Sequence, residues 1–131
     1  MEKRPGFEDP PPPDRILDAI GVLWSITEFF RFALNLAEGL RAENLWLSIR
    51  LKGIRGRSLG SFDPSRMWWG DTQSRAGDVP FDENFTVADL KSSWKEKARG
   101  WSRRVFTVFQ WPDADDKQLA ADQEKLIERR W

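Results

Sequence analysis

The sequence predicts an α+β fold: a long N-terminal helix packed on a small, mostly antiparallel sheet, followed by two C-terminal helices. Three observations predict it. Apolar residues recur at helical spacing across residues 15–38, then alternate over residues 45–51, and after Thr86 they return to helical spacing behind a capping signature. With 131 residues, the chain is long enough for one domain that buries roughly two-thirds of its unfolded surface. The expected organisation is a proline-rich leader over residues 1–13 and a single domain over residues 14–131.

The leader ends in four consecutive prolines, which favour an extended polyproline conformation and do not enter a packed helix. Asp14 stands where an N-cap belongs, since its carboxylate can accept a bond from an orphan backbone N–H. Behind it, Ile16, Ile20, Leu23, Phe30, Leu34 and Ala37 form a stripe that Thr27 interrupts. Gly39 suits the left-handed position that closes a helix. Trp24, Phe29 and Phe32 widen the apolar face, so this helix must be covered on most sides by a sheet, a helix or another chain.

In "NLWLSIRLKGIRGRSLGSF", residues 44–62, Leu45, Leu47, Ile49 and Leu51 alternate with Trp46, Ser48, Arg50 and Lys52. That pattern marks a half-buried strand. The glycines of "GIRG" suit a tight turn, and the segment 57–62 is the expected hairpin partner. Residues 63–84 are rich in Asp, Gly, Ser and Pro and read as a long loop. Met67, Trp68 and Trp69 are the expected pin of that loop.

Thr86 and Asp89 occupy N-cap and N3, with Phe85 and Leu90 at the staple positions. Leu90, Trp94, Ala98, Trp101, Val105 and Val108 continue one helix through Gly100, and Pro112 ends it. Asp113 opens a last helix that carries Leu119, Gln123, Leu126 and Ile127 in register.

Function is less legible. The chain has no cysteine and no histidine, which removes disulfides and the thiolate and imidazole ligands that zinc prefers. No metal and no cofactor is expected. No Ser–Lys pair sits in a recognisable frame and no glycine-rich cofactor fingerprint appears, so the chain is read as not an enzyme. The N-terminus is charged and proline-rich, unlike a signal peptide, and Asp18, Glu28 and Arg31 interrupt the most apolar segment. These features point to a cytoplasmic protein with no membrane span.

Two motifs yield to simpler explanations. "DADDKQLAADQE" places Asp113, Asp115 and Glu124 on a calcium-loop template, but Gln118 stands where the turn glycine is required, and the spacing is helical. "GIRGRS" lacks the lysine and spacing of a phosphate-binding loop, and it follows a strand where a KH loop would join helices.

Charge is balanced overall, with 21 basic and 21 acidic residues, yet unevenly placed. Residues 41–57 hold five basic residues against one acidic, and residues 91–104 hold six against one. The stretch between them, residues 62–90, holds six acidic against two basic. Eight tryptophans and nine phenylalanines are a surplus for this length, available for the core or for a partner surface.

The expected function is therefore a non-catalytic binding module that docks on a partner protein or on itself. Trp46, Trp68 and Trp69 are the candidate partner-binding residues. The alternative is a nucleic-acid-binding accessory using Arg50, Lys52, Arg55, Arg57, Lys91, Lys95, Arg99, Arg103 and Arg104 on phosphates.

The order of a Trp-containing amphipathic helix, the strand "LWLSIRLKGIRGRSLG", a Trp-bearing loop and "LKSSWKEKARGWSRRVFTVFQWP" resembles the C-terminal region of some bacterial proteins that begin with an AlbA-like DNA-binding domain. The resemblance spans residues 15–112 and rests on residues 57–60, Trp69, Trp94 and "FQW". The AlbA-like portion itself is not in this sequence. The resemblance implies an α+β accessory module of a bacterial cytoplasmic system, without a chemistry of its own.

Overall fold

A computed structural model describes residues 16–61, 68–73, 77–109 and 115–130. Its elements run β1 (Ile16–Asp18), α1 (Ala19–Gly39), β2 (Asn44–Lys52), β3 (Ser58–Ser61), β4 (Trp68–Gln73), β5 (Asp78–Thr86), α2 (Val87–Val108) and α3 (Asp116–Arg130). The α+β class, with its long first helix and two C-terminal helices, is as the sequence predicts. The leader 1–13 and Asp14 lie outside the described residues.

The long helix starts later than expected. Residues 16–18 form a short strand parallel to β3, so the cap falls to Asp18, whose Oδ1 accepts the Ile20 N–H at 3.3 Å. Gly39 is not the left-handed residue. It is the last residue of α1, and Arg41 adopts φ 55°. Arg41 N–H donates to Glu38 O at 3.1 Å and Ala42 N–H to Ala37 O at 2.9 Å. These are the two bonds of a Schellman closure, with a non-glycine at its left-handed position.

β2 does not pair with the segment that follows the turn. It pairs antiparallel with β5 through nine residues, from Asn44 opposite Thr86 to Lys52 opposite Asp78. β3 lies between β1, parallel, and β4, antiparallel, with an irregularity between Ser58 and Gly60. The expected long loop thus contains two strands. β5 reads "DVPFDENFT": Val79, Phe81 and Phe85 face the core, while Asp78, Pro80, Asp82 and Asn84 face out. The residues that look like loop punctuation are the solvent face of a strand. Among the described residues β5 pairs with β2 alone, which leaves an open edge where Pro80 is tolerated.

"GIRG" is a turn, with Gly53 at φ 73° and Gly56 at φ 78° and Arg57 N–H donating to Ile54 O at 3.0 Å. It connects two sheets instead of closing a hairpin, because Ile54 is buried at its centre and Gly53 and Ile54 both donate to Gly77 O.

α2 is continuous through Gly100, and Thr86 Oγ1 accepts the Asp89 N–H at 3.2 Å as the capping signature requires. α3 begins at Asp116 with Asp115 Oδ1 accepting from Lys117 N–H, and Asp113 lies outside the described residues. The calcium-template segment is therefore helix from residue 116 onward.

The core centres on Trp101 of α2. Its ring stacks on Phe81 at 4.8 Å and meets Phe30 edge-on at 4.8 Å, while its Nε1 donates to Glu83 of β5 at 3.2 Å. Trp94 is also buried, so part of the tryptophan surplus fills the core. Thr27, the break in the first apolar stripe, is fully buried where α1, α2 and α3 meet. Its Oγ1 donates to Leu23 O and accepts from Gln123 Nε2, which also donates to Lys95 O. Gln123 Oε1 accepts from Arg99 Nη1 at 2.8 Å.

Candidate functional site

α1 is a helix with two apolar faces. One, carrying Leu23, Phe30 and Leu34, is buried in the core. The other is not. Phe32, Leu36 and Leu40 are 66, 51 and 72 % exposed, at i, i+4 and i+8 along one line. Phe32, Leu36 and Leu40 thus form a contiguous exposed apolar row, whereas scattered single apolar residues are ordinary on a surface. The excess is large enough that α1 also has the length and composition to cross a membrane, although 44 % of that apolar window is buried within the fold. The same line toward the N-terminus borders a cleft of about 340 Å³, walled by α1, β2, Phe81 and Val105 and almost wholly apolar.

Of the expected partner-binding residues, Trp46 is 61 % exposed on the outer face of β2, its Nε1 donating to Asp82 Oδ1 across the ribbon. Trp68 and Trp69 are strand residues of β4, not loop residues, opposite Ser61 and Gly60 of β3. The reading of the sequence missed Leu36 and Leu40. Their signal was present, since a line through residues 32, 36 and 40 falls on a different face from the stripe through 23, 30 and 34.

The basic candidates are mostly engaged. Lys95 pairs with Glu124 at 2.9 Å, Arg99 with Asp116 at 2.9 Å and Arg103 with the same carboxylate at 3.1 Å, all on α3. Lys91 meets Glu38 of α1 at 4.0 Å, and Lys97 meets Glu83 of β5 at 3.9 Å. Arg104 lies over the Phe81 ring at 4.5 Å, and Arg50 meets Asp78 at 3.5 Å. Lys52 and Arg55 are exposed and Arg57 half-buried around the turn. The acidic stretch between the basic blocks contributes Asp78 and Glu83, α1 contributes Glu38, and α3 supplies Asp116 and Glu124. The pairs with half-exposed partners each contribute little to stability, but together they cancel much of the field that would attract a polyanion.

Among the described residues no group of three carboxylates is placed to hold a metal ion. No protein-family model matches the chain, and no curated protein or solved structure matches it either.

Proposed function

We propose that the chain is a non-catalytic binding module that docks on a partner protein, or on a second copy of itself, through an apolar surface. The observation that carries this reading is the exposed row of Phe32, Leu36 and Leu40 on a helix whose opposite face is already buried. Trp46 on β2 supplies a second exposed aromatic with its polar tip engaged. The nucleic-acid reading has less support. Five of its nine candidate cations face a carboxylate within 4.0 Å and Arg104 covers an aromatic ring.

The test is a triple variant, Phe32→Ser, Leu36→Ser and Leu40→Ser, assayed for thermal stability and for binding of an apolar fluorescent dye. Exposed positions away from the core change stability by about 0.5 kcal/mol or less each, so the variant should fold with a nearly unchanged melting temperature and lose most dye binding. A variant that unfolds would place these residues in the core. Unchanged dye binding would remove the docking surface.

A further inference from the structure

We infer that the occupant of the uncovered α1 flank is a second copy of this chain, with the two α1 helices antiparallel about a two-fold axis between Phe29 and Phe32. This rests on the docking reading above and names the partner. At about 100° per residue, Ser25, Phe29, Phe32, Leu36 and Leu40 fall within about 80° of one another around α1, and none of them is charged. The line has two unlike halves. Its C-terminal half carries protruding side chains at residues 32, 36 and 40. Its N-terminal half carries the small, exposed Ser25 where the flank opens into the 340 Å³ cleft, with the Asp18 side chain lying against Gly21.

A two-fold axis brings each half onto the other. In one shared register Phe32 faces Phe29 of the second copy and Leu36 faces Ser25, so an aromatic pair flanks the axis and a protruding leucine meets a small residue, twice over by symmetry. The four carbon atoms of the Leu36 side chain are small against the 340 Å³ cleft that Ser25 borders.

Charge agrees with the same orientation. Asp18 caps the N-terminal end of the flank, and exposed Arg41 stands one residue past Leu40 at the other. The antiparallel register sets position 41 opposite position 20 of the second copy, so Arg41 of each chain nears Asp18 of the other. Antiparallel helices also place opposite dipole ends together. A parallel pairing would instead stack protruding residues on protruding residues and leave both clefts empty. The contact line from Ser25 to Leu40 runs about 22 Å along one helix face, so a small interface and a weak, concentration-dependent dimer are expected.

The absence of cysteine makes the register directly testable in the full chain. Ser25→Cys and Leu36→Cys are made as separate variants, mixed, and oxidised gently. In the proposed register the two thiols are adjacent between copies. Two Ser25→Cys chains, or two Leu36→Cys chains, would hold their thiols about 16 Å apart along the axis, too far to bridge. The mixed disulfide should form at least about tenfold faster than either like-with-like product. Wild-type mass by light scattering should rise from monomer to dimer over about 1–500 μM, and Leu36→Asp should return it to monomer. Like-with-like disulfides forming equally fast would overturn the register. A mass beyond dimer would overturn the closed two-fold. A wild-type chain that remains monomeric while its flank still binds the dye would overturn the second copy as occupant, and would leave docking on a different protein standing.

Discussion

Gln123 is the side chain through which the three helices are joined, and its removal is the most informative perturbation of the fold. It is fully buried on α3, donating to Thr27 of α1 and to the Lys95 carbonyl of α2, and accepting from Arg99 of α2. In Gln123→Ala the bond to a charged guanidinium contributes about 1.5 kcal/mol and the two neutral bonds about 0.5–1 kcal/mol each. The partners keep other bonds, Arg99 to Asp116 and Thr27 to Leu23 O, which holds the estimate to the lower part of each range. The expected loss is about 3 kcal/mol, or a fall in melting temperature of about 10 °C. Urea denaturation followed by circular dichroism measures it. Thr27→Val alone should cost about 1 kcal/mol, and almost nothing further in the Gln123→Ala background, because its interhelical partner is already gone. A Gln123→Ala loss below about 1 kcal/mol, or a Thr27→Val cost equal in both backgrounds, would refute the junction.

Four further outcomes follow from the same structure. Leu47→Asp should abolish folding in a circular dichroism melt, since it puts a charge on the buried face of β2, whereas Arg50→Glu on the outer face should cost about 1 kcal/mol or less. Gly100→Ala should stabilise by about 0.5–1 kcal/mol in denaturant, because Gly100 lies inside α2 and an added Cβ meets nothing within 4 Å. Gly56→Val, at φ 78° in the turn, should destabilise in the same assay. Duplex binding should be weak and lost at physiological salt. Submicromolar binding there that Arg55→Ala with Arg57→Ala abolishes would promote the nucleic-acid reading over the docking one.

Local signals were legible and tertiary pairings were not. The alternation of Leu45, Leu47, Ile49 and Leu51, the Thr86 cap and the glycines of "GIRG" each depend on a few neighbouring residues, and each stands in the structure as the sequence implied. The long α2 stripe tolerated Gly100 because six apolar positions in register outweigh one weak helix former. The sequence by itself therefore determined the class of the fold, the order of its main helices and the inward face of β2.

What pairs with what was decided only in three dimensions. β5 carries Asp, Pro and Asn on its outer face, which locally resemble a loop. Its strand character depends on the nine-residue ladder with β2, whose paired residues lie 26 to 42 positions away in sequence. The short strand before α1 exists because β3 lies beside it, and that pairing moved the helix start from Asp14 to Asp18. The same holds for function. The 91–104 block looks strongly basic when read along the chain, but α3 folds its carboxylates onto that face, so charge in the sequence is not field in the structure. Phe32, Leu36 and Leu40 read as more of an apolar helix until α2 and the sheets had covered the other side. Which apolar face of a helix remains uncovered depends on how many neighbours the fold places around it, a number that no local pattern of residues contains.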